Sequence, residues 1–122
     1  MICFVTYCSK DKSHVPGDIP AIERYLDKRI QIVQKNSLSL EADFFILSGR
    51  FGLLEADHRI PWYDHLMKNE EVERMTIKVT PLLSQYSEIV FWIDPHDFIE
   101  PYQQTIEAAA ANSKIPFRLE QI

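Results

Sequence analysis

Cys8-Ser9-Lys10 places a thiol, a hydroxyl and an amine side by side, with Lys12 two residues further on. The thiolate is the reactive form of cysteine and a nearby cation lowers the thiol pKa, so Lys10 or Lys12 turned inward would activate Cys8. The plainer alternative is a half-buried cysteine followed by a solvated loop, because cysteine is commonly packed without reacting. A second group, Ser48-Gly49-Arg50-Phe51-Gly52, gathers two of the chain's three glycines around one arginine. Glycines allow close backbone approach, so this bend is expected to bring main-chain N–H groups beside a ligand, and Arg50 offers a planar donor fork for phosphate or carboxylate. A plain exit from a strand is the competing reading.

Beyond these lie Trp62, Tyr63 and Asp64, in a long connection whose apolar residues imply that it packs back on the body of the protein. Aromatic rings there can stack on a base or sugar, or anchor the loop to the core. Asp94 is a candidate polar site residue and ranks above Asp97, which has a competing role at a helix start. Asp57, His58, Asp64 and His65 lack a diagnostic metal-ligand spacing and read as a polar surface loop, as do His14 and His96. The expectation is no metal and no cofactor.

These groups need elements to hold them. Ile2–Tyr7 is a β-branched and aromatic run suited to a strand buried on both faces. In residues 19–35, Ile22, Leu26, Ile30 and Val33 form one apolar stripe, which predicts a helix, with Asp18 as its cap. Residues 42–47 read as a second strand and residues 69–83 as a helix capped by Asn69 and kinked or divided by Pro81. Glu88–Ile93 is a third strand; Asp97-Phe98-Ile99-Glu100 resembles a capping box opening a helix through Ala111, and residues 115–119 form a last, less buried strand. Helices between strands require crossover connections, so the expected fold is a small three-layer α/β sandwich with a mainly parallel sheet of about four strands. Ligands bind such sheets beyond the carboxyl ends of the strands, where Cys8, Ser48 and Asp94 fall. Ser9, Lys10, Ser48, Arg50 and Tyr63 are therefore expected around one crevice.

The 122 residues, 46% of them apolar, suffice for one core spanning the whole chain. A formal charge of -5 argues against broad attraction to polyanions but leaves room for a local basic pocket. Two cysteines near one end, without secretory signal features, provide no disulfide framework and fit a reducing cytoplasm. No apolar run is long enough to span a bilayer, so no membrane role is expected. Oligomeric state leaves no mark on the sequence.

The run Ile46-Leu47-Ser48-Gly49-Arg50-Phe51-Gly52-Leu53-Leu54, continuing through Asp57 and Ile60 to Pro61-Trp62-Tyr63-Asp64, resembles the signature of the YaaA-like superfamily. Cys8-Ser9-Lys10-Asp11-Lys12 resembles the Cys-Ser-Lys-x-Lys element of its small bacterial and phage members. The resemblance implies an α/β fold, site residues Ser9, Lys10, Ser48, Gly49, Arg50, Gly52, Tyr63 and Asp64, and links to nucleic acid and oxidative stress. YaaA-type chains are longer, and they lack cysteine at the position of Cys8, which would place shared chemistry on Ser9 and Lys10. Trp62 also intervenes between Pro61 and Tyr63.

Three functions stay open at this point. The first is an enzyme-like pocket for a nucleotide, nucleobase or other anionic metabolite, with Lys10 and Arg50 on anionic oxygen and Tyr63 and Asp64 orienting the ligand. The second is a noncatalytic ligand- or nucleic-acid-binding module in stress response or mobile-element biology. The third is a protein-interaction domain.

Overall fold

The computed structural model describes residues 1–97 and 99–122. The opening β-branched and aromatic run forms β1 (Ile2–Tyr7), in which every residue from Cys3 onward is buried. A two-residue strand, β2 (Ile19–Pro20), leads into a single helical turn, α1 (Ala21–Arg24), and then into α2 (Lys28–Ser39). Next come β3 (Asp43–Ser48), β4 (Gly52–Leu54) and β5 (Arg59–Ile60). After a 3-10 turn over Asn69–Glu71, α3 (Val72–Leu83), β6 (Glu88–Ile93), α4 (Glu100–Ser113) and β7 (Phe117–Gln121) complete the fold.

The main sheet runs β4-β3-β1-β6-β7, with β2 and β5 paired separately as a short antiparallel ribbon. Four strands are parallel, and Val5 at the centre lies opposite Phe45 on one side and Phe91 on the other. The fifth, β4, runs back along β3 because Gly52 reverses the chain at φ +81°, a conformation open to glycine at little cost. This hairpin is the strand beyond the expected four. Alternate residues of β1 serve opposite faces. Phe4 packs with Val90 and Val33 of α2 on one face, while Cys3 and Val5 share the larger core with Val79 and Leu83 of α3 and Ile106 and Ala109 of α4. Helices thus lie on both sides of the sheet.

Local chemistry moves several predicted boundaries. The helix expected over 19–35 breaks at residues 25–27, where Asp27 adopts an extended conformation and its carboxylate accepts the Arg29 N–H at 2.9 Å. Asp27, not Asp18, is the cap. The break turns Leu26 outward to 59% exposure, although it belongs to the apolar stripe by spacing. Asn69 opens the 3-10 turn instead of capping α3, and Glu71 reaches back to accept the Lys68 N–H. Pro81 falls in the last turn of α3, which continues to Leu83. Ile99 occupies the N-cap of α4 in place of Asp97, and Pro101 sits in its first turn; Phe98 of the expected capping box lies outside the described residues.

The long connections are pinned from inside. Arg24 is fully buried and donates to the carbonyls of Ser13, Val15, Gly17 and Ile60 at 2.6–3.0 Å. Among the described residues, no helix is long and apolar enough to cross a membrane.

Candidate functional site

The connections leaving β1 and β6 diverge to opposite faces of the sheet: β1 continues through α1 and α2 to β3, and β6 through α4 to β7. The carboxyl ends of these two neighbours therefore form a switch point, where the open edge of an α/β sheet leaves a crevice. A cavity of about 360 Å3 occupies this place. Tyr7 at the end of β1 and residues 8–11 after it, Leu26 and Asp27 before α2 and Arg29 within it, Leu66 and Met67, Asp97, and Pro101 and Tyr102 of α4 line it.

Arg29 organises the floor. Only 4% exposed, it donates to Thr6 Oγ1 at 2.6 Å and to the carbonyl of Tyr7 at 2.7 Å, and it pairs with Asp27 at 3.2 Å. Its guanidinium also lies 3.5 Å from the centre of the Tyr7 ring. A planar fork suits this combination of carbonyl, carboxylate and ring face. The Nε is buried without a hydrogen-bond partner, its nearest acidic group being Asp97 at 3.8 Å. Tyr7 donates to Asp97 at 2.6 Å and accepts the Asp94 N–H at 3.0 Å, which ties the end of β6 to β1. Burial, reinforced by the Asp97 hydrogen bond, pushes the Tyr7 pKa well above its usual value, so the phenol keeps its proton. On the opposite wall, Tyr102 accepts the Met67 N–H at 2.9 Å and the Cys8 thiol at 3.5 Å.

A second cavity, of about 310 Å3, opens beside Arg50. Gly49 belongs to its lining and Met67 to that of the first; a Cβ on Gly49 would fall 2.7 Å from the Met67 nitrogen. This close backbone contact, which glycine alone permits, stands between the two cavities.

The expected single crevice is accordingly divided. Cys8, Ser9 and Lys10 line the first cavity, and Gly49 and Arg50 the second. Ser9 Oγ donates to the Asp11 carbonyl at 2.6 Å, a local turn bond. Ser48 and Tyr63 are buried in a hydroxyl chain instead of facing a cavity: Ser48 Oγ lies 2.8 Å from Tyr63 Oη, which lies 2.5 Å from Tyr25 Oη. Ser48 also accepts the N–H groups of Arg50 and Phe51 at 3.1 and 3.0 Å, so these bend amides are satisfied internally and do not face a ligand. Gly52 serves the chain reversal, and Asp64 is exposed outside both cavities. Asp94 caps its own turn by accepting the His96 N–H at 3.0 Å, while Asp97 reaches the first cavity, reversing their expected rank.

The lysine that turns inward is Lys12 and not Lys10. It is 6% exposed, with Nζ 4.6 Å from the Tyr63 ring centre. Burial lowers its pKa, against the opposing influence of Cys8, Asp64 and Asp11. Among the described residues no group of three or more His, Cys, Asp or Glu side chains is placed to hold a metal ion.

Sequence reasoning passed over Arg29, Tyr7, Asp27 and Tyr102. One signal was available for Arg29: it stands four residues before Val33, and so on the inward face of its helix, where a charged group needs partners. Tyr102 carried none, because only the packing of α4 against residues 66–67 brings it to Cys8. The chain matches no protein-family model, and no curated protein and no solved structure matches it.

Proposed function

We propose that the protein binds a nucleotide-type metabolite at the switch point, with the heterocyclic base in the larger cavity. The observation that carries this reading is a ligand-sized cavity at the carboxyl ends of β1 and β6 that is lined by the part-exposed carboxylates of Asp27 and Asp97, both paired with the buried Arg29. A volume of about 360 Å3 falls within the range of small-molecule sites. Leu26 and Leu66, each roughly half exposed, supply apolar surface for a flat ring, and Met67 and Pro101 add more. Asp27 and Asp97 accept hydrogen bonds from ring or exocyclic N–H groups; Lys10 donates to a ring carbonyl, while the Arg29 donors are spent on Thr6, the Tyr7 and Cys8 carbonyls and Asp27. Three carboxylates, Asp11, Asp27 and Asp97, against Lys10 and Arg29 favour an amino-bearing base here over a bare phosphate.

Cys8 and Lys10 are the candidate groups for chemistry at this site, and Cys8 is the one with its side chain fixed toward Tyr102. The two sequence motifs are what support a YaaA-like relationship, and the free, buried Cys3 and Cys8 fit a cytoplasmic setting.

Calorimetry against a panel of nucleobases, nucleosides and nucleotides tests the proposal. At least one base family is expected to bind, with Asp97→Asn weakening it by about tenfold or more while the thermal midpoint stays close to wild type. Absence of binding across the panel, or an Asp97→Asn protein with wild-type affinity, rejects it. Turnover of a bound compound, followed by chromatography, separates an enzyme from a binding module.

A further inference from the structure

The second cavity differs in charge from the first. Arg50 enters from the bend after β3, Arg74 and Lys78 from successive turns of α3, and they face one carboxylate, Glu71. That carboxylate is already engaged: its oxygens lie 2.8 and 2.9 Å from His65 Nε2, and it accepts the Lys68 N–H at 2.9 Å and an Arg74 N–H at 3.3 Å. Arg50 and Lys78 take part in none of the ion pairs among the described residues. On a chain with a formal charge of -5, this is a local excess of cations around a concave surface of about 310 Å3.

The backbone makes room for that arrangement. A Cβ at Gly52 would approach Lys78 Cε to 3.2 Å, so the glycine that reverses the chain also leaves the lane in which the lysine stem lies. Gly49 lets its backbone pack directly on that of Met67, so only this thin backbone contact stands between Gly49 of the second cavity and Met67 of the first. Arg50 extends past the Phe51 ring, its guanidinium carbon 5.6 Å from the ring centre.

We infer that the second cavity is an anion subsite that takes a phosphate group, and that Arg50 and Lys78 are its principal ligands. Resting on the reading that a base occupies the first cavity, the ligand is then a nucleoside phosphate lying across the Gly49–Met67 contact. Guanidinium contributes paired donors to phosphate oxygens and the ammonium adds a compact charge. Specificity for the phosphorylated form thus comes from a different part of the molecule than recognition of the base.

The test compares a nucleoside 5′-monophosphate with its parent nucleoside, by calorimetry, on wild type and on the Arg50→Ala/Lys78→Ala double variant, with inorganic phosphate as a third probe. Thermal melts establish that the variant is folded. Wild type is expected to prefer the monophosphate by about tenfold or more, with the preference lost in the double variant and reduced by added salt. Equal affinity for the two compounds in wild type, or a preference that survives in the double variant, overturns the subsite and leaves the base cavity standing. Where neither nucleoside nor monophosphate binds, phosphate decides: protection of wild type alone keeps the subsite and removes the base reading, whereas no protection removes both.

Discussion

The two cavities are built by opposite means. The larger one has a floor of buried side chains that constrain one another, with Arg29 held between Thr6, the Tyr7 carbonyl, Asp27 and the Tyr7 ring. The smaller one is edged by Arg50, Arg74 and Lys78, all exposed residues with long stems. Shape at the first cavity is therefore inseparable from the stability of the fold, while charge at the second can change with little effect on folding. A ligand spanning both would be selected by geometry at one end and by electrostatics at the other.

The sharpest way to break this contrast is Arg29→Ala. It leaves the buried Thr6 hydroxyl and the Tyr7 and Cys8 carbonyls without their donor, and the expected loss of stability is about 3–5 kcal/mol by chemical denaturation. Arg29→Lys is expected to recover only part, since a single ammonium cannot reproduce the fork. A loss below about 1 kcal/mol would mean that the floor is not structural. Next comes Gly49→Ala, whose Cβ would meet the Met67 backbone nitrogen at 2.7 Å, so one chain must move. The expected cost is about 1–3 kcal/mol, together with altered affinity at both cavities.

Tyr63→Phe removes the hydroxyl between Ser48 and Tyr25 while keeping the ring against Phe51 and Lys12. An expected loss of about 1–2 kcal/mol with unchanged ligand affinity would separate this buried residue from the binding surface. A selective loss of affinity would instead return Tyr63 to the site.

The smallest effect concerns pH at the second cavity. Burial alone would raise the Glu71 pKa, but the Lys68 N–H, His65 and Arg74 together lower it below its ordinary 4.5. A carboxyl depressed on folding stabilises the protein above its unfolded pKa, and that contribution fades as pH falls through the lower folded value. Glu71→Gln is therefore expected to flatten slightly the acid limb of stability below about pH 4.5, measured by thermal melts, with little change in its slope at neutral pH.

The order of strands and helices was legible because apolar runs and stripes report burial directly. β1 and β6 occupy the predicted bounds, Ile2–Tyr7 and Glu88–Ile93, and the last strand lies two residues beyond the predicted start. What periodicity could not show was the break at Asp27, since a capping carboxylate is also acceptable inside a polar helix face. The site was legible only in part. Strand ends located Cys8, Ser9 and Lys10 at the first cavity and Arg50 at the second. Ser48 and Tyr63 look alike in sequence whether a hydroxyl faces a ligand or another hydroxyl, and pairing with Tyr25, 38 residues from Tyr63, is a tertiary fact. Arg29, Tyr7 and Tyr102 converge only when β1, α2 and α4 are packed.

Arg24 has a consequence for how the molecule opens. Its guanidinium holds carbonyls from residues 13, 15 and 17 and from Ile60, while its own carbonyl accepts the Ser13 N–H and the His58 carbonyl accepts the Ala21 N–H. Two connections far apart in sequence are thus fastened to one charged group. Release of either strips the guanidinium of carbonyl partners that the other cannot replace, so local breathing here is expected to be cooperative. In hydrogen exchange, the Ser13 and Ala21 amides would then share one opening rate, the signature of a clasp and not of two independent loops.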